Sequence, residues 1–525
     1  MFYRTCLRGA AALASMSLLA GCGLFSDAEA SDDQKISVGT ISEPSALDPA
    51  AAWDGSWELY RNVFQTLLSF PSGSNTPQPD AATCTFTDAA NRVYQCELRK
   101  EMTFSNGEKL DAAAVKHSID RIRTIAAESG PKALLGSLDS VETAGDRVVR
   151  FRLNAPDTTF PYVLATPAMS LVPPGEYPAD KLRQDDKVIG SGPYVLKNYV
   201  RKDRAQLEKN GSYKGFAKRR NDSVSIRYYQ DSALMMRALK EKKIDAVYRG
   251  MTADDVIELQ QGLPEHKHLR LVESVGADIR YLVFNPKDPT ANKLPVRRAI
   301  AQVIDRGKLV DKVYKGTAEP LYSMVPRGIA GHTTKFFDRY GDPSEAKARQ
   351  ILEKAGIDEP VSLQLTYTTD RYGSSTAAEF AEIKRQLEAS GLFKITIQGK
   401  RWTDFQKEYA DGAYPVFGRG WFPDFPDPDN FIAPFVGTNN ALNTPYESPE
   451  ITGKLLPESR RESDRGAVLK QFDEAQEILV DDVRLLPLWQ GKLYVAVTEE
   501  IGGAERALDP QTVMQVWELF RKGNW

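Results

Sequence analysis

The sequence predicts an α/β protein with more than one domain. A chain of 525 residues exceeds the length of a typical single domain, which is about 50 to 250 residues. Hydrophobic residues make up 42% and charged residues 26% of the chain, and these values are typical of globular proteins rather than disordered ones. Between residues 342 and 398 helical and strand periodicities alternate, which indicates an α/β domain with a largely parallel sheet.

This alternating segment allows individual elements to be predicted. Asp342 is expected to cap a helix with a proline at its first position, and Gly356 is expected to end that helix. Apolar and polar residues alternate over residues 361–367, which is the periodicity of a strand. A second helix is predicted to end at Gly391, and a short strand follows over residues 394–398.

The amino terminus has the pattern of an export signal. Arg4 and Arg8 precede an apolar run over residues 9–19, and small residues follow it. The run is shorter than the roughly 20 apolar residues that span a bilayer. Residues 19–22 read Leu-Ala-Gly-Cys and resemble a bacterial lipobox, in which Cys22 would receive a diacylglyceryl group before cleavage. A plain secretory signal with a chance cysteine is the alternative.

The lipobox interpretation predicts where the protein resides. Cleavage after residue 21 would remove two arginines and make the formal charge more negative than −3. Residues 26–34 are small, polar and acidic, as expected for a flexible tether, which is predicted to span residues 22–35. Two acyl chains on Cys22 satisfy the need for two membrane signals. We therefore expect the protein to be lipid-anchored at the extracytoplasmic face of the cell membrane.

The remaining cysteines predict a disulfide bond. The chain has four cysteines, of which Cys6 would leave with the signal and Cys22 would carry lipid. Cys84 and Cys96 lie in two strand-like segments joined by a polar stretch. An even pair at this spacing in an exported protein is typical of a disulfide, which would stabilise the fold by about 3 kcal/mol. A metal site would need further ligands, and no histidine lies nearby.

Several function classes lack their signatures. Lysine and arginine are scattered along the chain, without the basic stripe of a nucleic-acid-binding protein. The four histidines form no metalloprotease motif, and the serine-hydrolase and phosphate-loop patterns are also missing. Residues 190–192 read Gly-Ser-Gly and are interpreted as a structural turn. We therefore expect no catalysis, no metal and no cofactor, although Asp424 and Asp427 leave an acid-pair hydrolase as an alternative.

Six segments together identify a family resemblance. They are residues 42–49 (Ser-Glu-Pro-Ser-Ala-Leu-Asp-Pro), 98–116, 189–196, 281–285 (Tyr-Leu-Val-Phe-Asn), 296–306 and 420–431 (Gly-Trp-Phe-Pro-Asp, then Asp-Pro-Asp-Asn-Phe from 427). In this order they resemble the dipeptide/oligopeptide-binding family of extracellular solute-binding proteins. The resemblance covers nearly the whole mature chain.

The resemblance implies a two-lobed, clam-shell fold of the periplasmic-binding-protein type with an additional inserted domain. The expected boundaries are 36–65, 187–275 and 488–525 for a discontinuous lobe I, 66–186 for the inserted domain, and 276–487 for lobe II. In such proteins the ligand favours the closed form, and closure creates a shape that a transporter can recognise.

The resemblance also implies a ligand site. Asp424 matches the position whose carboxylate receives a peptide amino terminus in peptide-binding relatives, and nearby prolines restrict the backbone around it. After a one-residue shift, Arg371 matches an arginine that holds the ligand carboxylate. The alternatives are a solvated acidic loop for Asp424 and a surface arginine for Arg371. The predicted site consists of Trp402, Gly420, Trp421, Phe422, Asp424 and Arg371, and Tyr409 is a further candidate for a wall or for core packing.

The function implied by the resemblance is capture of small peptides and their delivery to the permease subunits of an ABC importer. The expected partners are the peptide, the permease and, through the lipid anchor, the membrane, with the protein acting as a monomer. The same fold in this family also binds oligosaccharides, metal chelates or haem, so another solute is the alternative. The retention of Asp424 favours a ligand that carries an amine.

Overall fold

The computed structural model describes residues 35–437, 440–442 and 446–523. These described residues belong to one compact unit. The predicted signal peptide, Cys22 and the predicted tether up to residue 34 lie outside the described residues, so the lipobox interpretation stays a prediction.

The described residues form nineteen strands, which belong to one large sheet and three smaller ones. They are β1 (Lys35–Thr40), β2 (Leu68–Ser69), β3 (Gln78–Pro79), β4 (Ala82–Phe86), β5 (Val93–Leu98), β6 (Leu138–Ala144), β7 (Val148–Leu153), β8 (Tyr194–Val200), β9 (Arg204–Lys209), β10 (Ser223–Tyr228), β11 (Ala246–Tyr248), β12 (Leu269–Phe284), β13 (Ala318–Pro320), β14 (Val361–Thr368), β15 (Phe393–Lys400), β16 (Val416–Trp421), β17 (Leu485–Thr498), β18 (Ile501–Gly502) and β19 (Phe520–Arg521).

Thirteen α-helices occur in the same part of the chain. They are α1 (Trp57–Val63), α2 (Ala112–Ile125), α3 (Phe160–Leu164), α4 (Ser232–Lys240), α5 (Ala253–Gln260), α6 (Leu294–Val303), α7 (Arg306–Leu309), α8 (Lys335–Tyr340), α9 (Glu345–Glu353), α10 (Thr376–Ala389), α11 (Trp402–Ala410), α12 (Leu456–Arg461) and α13 (Leu469–Asp482). No helix within the described ranges combines the length and the apolar character needed to cross a membrane.

The large sheet has eleven strands and extends through two halves of the molecule. The first half contains β1 and β8–β11, and the second half contains β14–β16. Its order is β15-β14-β16-β12-β17-β11-β1-β10-β9-β8, with β13 paired to β17. The antiparallel strands β12 and β17 are the two longest, and they run through both halves. Their register shifts between Val275 and Ile279, where Gly276 approaches the Gly491 carbonyl oxygen so closely that a side chain would overlap it. The two long strands therefore connect the lobes.

The second half of the sheet is buried on both faces. Along β12, Leu282 and Phe284 pack into a core with α6, α9 and α10. Tyr281 and Val283 point to the opposite face and pack with α11 and α13. Because successive side chains of a strand point to opposite faces, a continuous apolar run such as residues 281–284 is what a strand covered on both sides requires.

The first half shares its core with a four-stranded antiparallel sheet. This sheet has the order β4-β5-β7-β6, and its Phe151 belongs to the same apolar cluster as Val38 of β1. Cys84 and Cys96 are directly opposed on β4 and β5, with their Cα atoms 4.0 Å apart, and form a disulfide bond. The predicted disulfide is thus confirmed, and the boundaries of the predicted inserted domain stay a prediction.

The elements predicted between residues 342 and 398 are present, with two corrections. Ser344, not Asp342, caps α9, and its Oγ accepts a hydrogen bond from the Lys347 backbone N–H at 3.3 Å. The segment before the cap is held outside the helix by hydrogen bonds to Gln302 at the end of α6. The Gln302 side chain donates to the Asp342 carbonyl oxygen, and the Ser344 backbone N–H donates to the Gln302 carbonyl oxygen. The sheet is parallel where β14 meets β15 and β16, but the antiparallel β12 and β17 make it mixed as a whole.

Candidate functional site

A cavity of about 410 Å³ lies where segments from both halves of the molecule meet. Strands β14 and β16 are parallel neighbours, so their carboxyl ends lie at one edge of the sheet and bring residues 370–372 close to 419–424. Residues 53–58, at the start of α1, and residues 511–513 complete the lining. Ligands of open α/β sheets commonly bind outside the carboxyl ends of strands.

The structure brings all of the residues predicted for the ligand site to this cavity. Its lining includes Arg371, Trp402, Gly420, Trp421, Phe422 and Asp424. Tyr409 is buried in the adjoining apolar core and does not line the cavity. Their roles toward a ligand remain predictions.

Asp424 is buried without a cationic partner. Its side chain accepts hydrogen bonds from Trp53 Nε1 at 2.7 Å and from Asn430 Nδ2 at 2.8 Å, and the residue is 5% exposed. Its backbone carbonyl accepts a hydrogen bond from Gln511 Nε2. No lysine, arginine or histidine of the described chain forms an ion pair with it. Burial raises the pKa of Asp424 to about 6, and the two side-chain hydrogen bonds oppose this rise.

Asp427 and Asp429 follow in the same loop and are paired. Arg465 donates to the two carboxylate oxygens of Asp427 at 2.7 and 2.8 Å. Arg460 donates to those of Asp429 at 2.8 and 2.9 Å. Asp427 is not part of the cavity lining. An acid-pair hydrolase would need Asp424 and Asp427 to face one substrate, and their environments do not support that alternative.

Arg371 lies at the exposed side of the site. Its guanidinium group is 5.0 Å from the centre of the Trp402 ring, a distance at which a cation is attracted to an aromatic face. It makes no ion pair within the ranges that the structure describes. The neighbouring Asp370 also lines the cavity, and its carboxylate is 3.8 Å from Arg401.

Aromatic rings form the apolar part of the wall. The Tyr372 ring centre lies 5.9 Å from that of Trp402 and 6.4 Å from that of Phe422. Gly420 permits this packing, because a Cβ atom there would be 2.7 Å from Arg280 Nη1 and 2.9 Å from a Tyr372 ring carbon. Trp421 is buried, and its indole donates to Asn430 Oδ1 at 3.1 Å. Trp421 thus helps to orient the side-chain amide of Asn430, which donates a hydrogen bond to Asp424.

The sequence did not predict several further residues of the site. Trp53 and Gln511 bond to Asp424 although they are far from it in sequence. Glu58 and Arg249 form an ion pair of 2.5 Å in the lining, and burial raises the pKa of Glu58. Two tryptophans within the otherwise polar residues 53–57 were the available signal for this segment.

The site has the donors of a binding pocket rather than those of a metal centre. Among the described residues, no group of three or more histidine, cysteine, aspartate or glutamate side chains is arranged to hold a metal ion. The cavity combines a carboxylate without a cationic partner, cationic groups and aromatic walls, which is a composition suited to a small dipolar ligand.

Comparison with known proteins identifies the family. Residues 76–443 match the model of the bacterial extracellular solute-binding proteins, family 5. The chain belongs to this family. Curated relatives and solved structures also resemble the chain over most of its length.

Two curated relatives of this family 5 protein are named as dipeptide binders. The probable D,D-dipeptide-binding periplasmic protein DdpA of Escherichia coli is 25% identical over 89% of the chain and 90% of the relative. The dipeptide-binding protein DppE of Bacillus subtilis is 22% identical over 92% of both.

Solved structures support the two-lobed fold. Helicobacter pylori DppA, solved in complex with the peptide STSA, superposes with a TM-score of 0.78 at 23% identity, covering 93% of this chain and 98% of that one. Listeria monocytogenes CtaP, an ABC transporter substrate-binding protein, gives a TM-score of 0.80 at 19% identity, covering 94% and 100%. The predicted periplasmic-binding-protein fold is confirmed.

Proposed function

We propose that this family 5 protein captures small peptides and holds their amino terminus at Asp424. The observation that carries the proposal is the environment of this carboxylate, which is buried in the cavity wall and meets only neutral donors. Burying a charge without a partner costs free energy. The ammonium group of a peptide would offset that cost through charge-assisted hydrogen bonds.

The size and composition of the cavity suit a short peptide. Its volume of about 410 Å³ lies within the range of small-ligand sites. The half-buried Trp402 and Tyr372 offer aromatic surface to side chains of varied sequence. The peptide-binding names of the curated relatives support the same ligand class.

Arg371 is proposed as a residue that receives the peptide carboxylate. It lines the cavity, is exposed and carries no ion pair within the described chain. A guanidinium group matches a carboxylate with two parallel hydrogen bonds. The ends of a peptide are common to every sequence, so a site that binds them accepts many peptides.

Delivery to an ABC importer completes the proposal. Trp53 belongs to the predicted lobe I and Asp424 to the predicted lobe II, and their 2.7 Å hydrogen bond joins the two lobes at the ligand site. Closure of the lobes over a peptide would create the form that the permease recognises. Cys22 would anchor the protein to the membrane, and loss of the Cys22→Ser variant from the membrane fraction is the measurement that tests the anchor.

The experiment for the ligand site is calorimetry with Asp424→Asn. Purified wild-type protein is first denatured, and the released ligand is identified by mass spectrometry. The synthetic peptide is then titrated in free and amino-acetylated forms. Loss of one partner of a buried charge pair costs about 2–5 kcal/mol, so we expect at least about thirtyfold weaker binding of the free peptide to the variant.

Two controls isolate the charge of Asp424. Asp404→Asn, at the exposed start of α11, changes the net charge equally and should bind as wild type does. The acetylated peptide should bind wild type poorly. If Asp424→Asn binds the free peptide with wild-type affinity, the amine site lies elsewhere, and release of a sugar or a metal chelate would replace the peptide proposal.

A further inference from the structure

Arg419 is a second cationic residue of the cavity, and it is buried. Its side chain lies between those of Phe417 and Trp421 on the same face of β16, and the residue is 7% exposed. Its guanidinium carbon lies 4.7 Å from the ring centre of Tyr409 and 5.3 Å from that of Trp402. The residue contributes to the cavity lining beside Asp424.

No acidic side chain of the described chain pairs with Arg419. Its Nε and Nη1 atoms are buried and have no acceptor there. The hydroxyl group of Tyr281, the residue opposite Arg419 on β12, is also buried without a hydrogen-bond partner. Arg419 has one side-chain hydrogen bond, with Tyr409, so Nε and Nη1 of Arg419 and the hydroxyl group of Tyr281 are the polar groups that remain without partners in the described chain.

Two other arginines near the site, Arg249 and Arg280, have acidic partners. Arg249 forms an ion pair of 2.5 Å with Glu58, and Arg280 lies 3.4 Å from an oxygen of Asp278. A buried cation without such a partner loses favourable hydration, and contact with aromatic faces restores only part of that free energy. The fold by itself leaves part of the cost at Arg419 uncompensated.

We infer that Arg419 is a specificity-determining residue that receives a carboxylate group of the ligand, in addition to the carboxylate position proposed for Arg371. This inference rests on the proposed function in taking the ligand to be a peptide. A peptide has two sources of this chemistry, the terminal carboxylate and an acidic side chain. The ligand carboxylate would lose its water beside Arg419 and form an ion pair with it. A ligand that has no carboxylate would leave the positive charge of Arg419 without a counter-charge.

Calorimetry with four dipeptides tests the inference. The probes are Ala-Glu and Ala-Gln, each as the free acid and as the carboxy-terminal amide, and the proteins are wild type, Arg419→Gln and Arg371→Gln. We expect Arg419→Gln to weaken the binding of carboxylate-bearing dipeptides by at least about tenfold, the loss expected for a charge-assisted hydrogen bond. Arg237→Gln, which changes an exposed arginine of α4 outside the cavity lining, is the control and should match wild type.

The pattern of the loss identifies the source of the carboxylate. If Arg419 holds the terminal carboxylate, Arg419→Gln no longer prefers free acids to amides, for both sequences. If it holds an acidic side chain, the variant no longer prefers Ala-Glu to Ala-Gln, whether or not the peptide is amidated. The inference is overturned if Arg419→Gln keeps both wild-type preferences and changes only the melting temperature, since that is the behaviour of a packing residue.

Two further measurements keep the result decisive. If Arg419→Gln does not fold, Arg419→Met, which retains an unbranched chain between the aromatic rings, replaces it in the same titrations. If wild type binds none of the four dipeptides, the small-peptide proposal is decided by the ligand released from wild type, and release of a sugar or a metal chelate overturns it. The inference is then decided by the ligand released from wild type, which must carry a carboxylate and must be missing from the Arg419 variant.

Discussion

Asp424 and Asp427 lie in one short loop, yet their environments are opposite. Both are buried, but Asp427 meets the guanidinium of Arg465 through two hydrogen bonds, whereas Asp424 meets only the indole of Trp53 and the amide of Asn430. The paired carboxylate is neutralised within the protein. The unpaired one faces the cavity and has capacity for an external cation.

The paired carboxylates also connect two parts of the molecule. Arg460, which holds Asp429, lies in the segment whose backbone carbonyls accept hydrogen bonds from Thr158 and Asn91 in the predicted inserted domain. The ion pairs thus link the loop of residues 424–429 to the predicted inserted domain. The comparison separates carboxylates that are paired within the protein from one that has no cationic partner among the described residues.

The largest expected effect is on stability, from Asp427→Asn. This substitution leaves Arg465, whose side chain is only 13% exposed, without its anion, so we expect the free energy of unfolding to fall by about 3–5 kcal/mol. Urea unfolding of the ligand-free protein at pH 7 is the measurement. An Asp427→Asn, Arg465→Gln double variant should recover part of the loss, because no unpaired charge remains.

Asp424→Asn should not destabilise the ligand-free protein at pH 7. The folded-state pKa of Asp424 is raised from 3.8 to about 6. A carboxyl group with a raised pKa contributes stability below its unfolded pKa and loses it as the pH rises through the folded pKa. At pH 7 the wild type carries this cost and the asparagine variant does not. If Asp424→Asn lowered the free energy of unfolding as much as Asp427→Asn does, the proposed difference between the two carboxylates would be wrong.

The next effect is on ligand affinity, which should depend on pH. Below about pH 6 the carboxyl group of Asp424 in the ligand-free protein takes up a proton and loses its attraction for an ammonium. We expect the affinity for a peptide to fall by about tenfold from pH 7 to pH 5. Asp424→Asn should lose this tenfold change, and any pH dependence that remains in the variant is assigned to other groups such as Glu58, whose pKa is also raised by burial. A flat wild-type profile would argue against Asp424 as the amine site.

The smallest effect is expected from Trp53→Phe. This change removes the hydrogen bond from Nε1 to Asp424, which favours the ionised carboxylate, so the pH midpoint of binding should move upward. Peptide affinity at pH 7 should fall by roughly threefold to tenfold, in keeping with one hydrogen bond to a charged group. Trp57→Phe, whose indole nitrogen has no partner among the described residues, is the matched control and should leave the midpoint unchanged.

Local pattern explains which parts of the fold could be predicted. The strand over residues 361–367 and the helix that ends before Gly391 follow from side-chain periodicity, and the structure contains both. The cap of α9 was misplaced by two residues, because the hydrogen bonds that hold the preceding segment to Gln302 come from another helix. Contacts between elements are not visible in a periodicity.

The sequence by itself determined the α/β pattern, the disulfide between Cys84 and Cys96, and the loop that contains Asp424. These follow from periodicity, cysteine spacing and family-like segments, all of which are local. Only the tertiary structure decided which charges are paired. Asp424 and Asp427 are alike in sequence, but Trp53 reaches Asp424 across 371 positions of the chain and Arg465 reaches Asp427 across 38. Burial makes those long-range partners decide whether a charge is structural or available to a ligand.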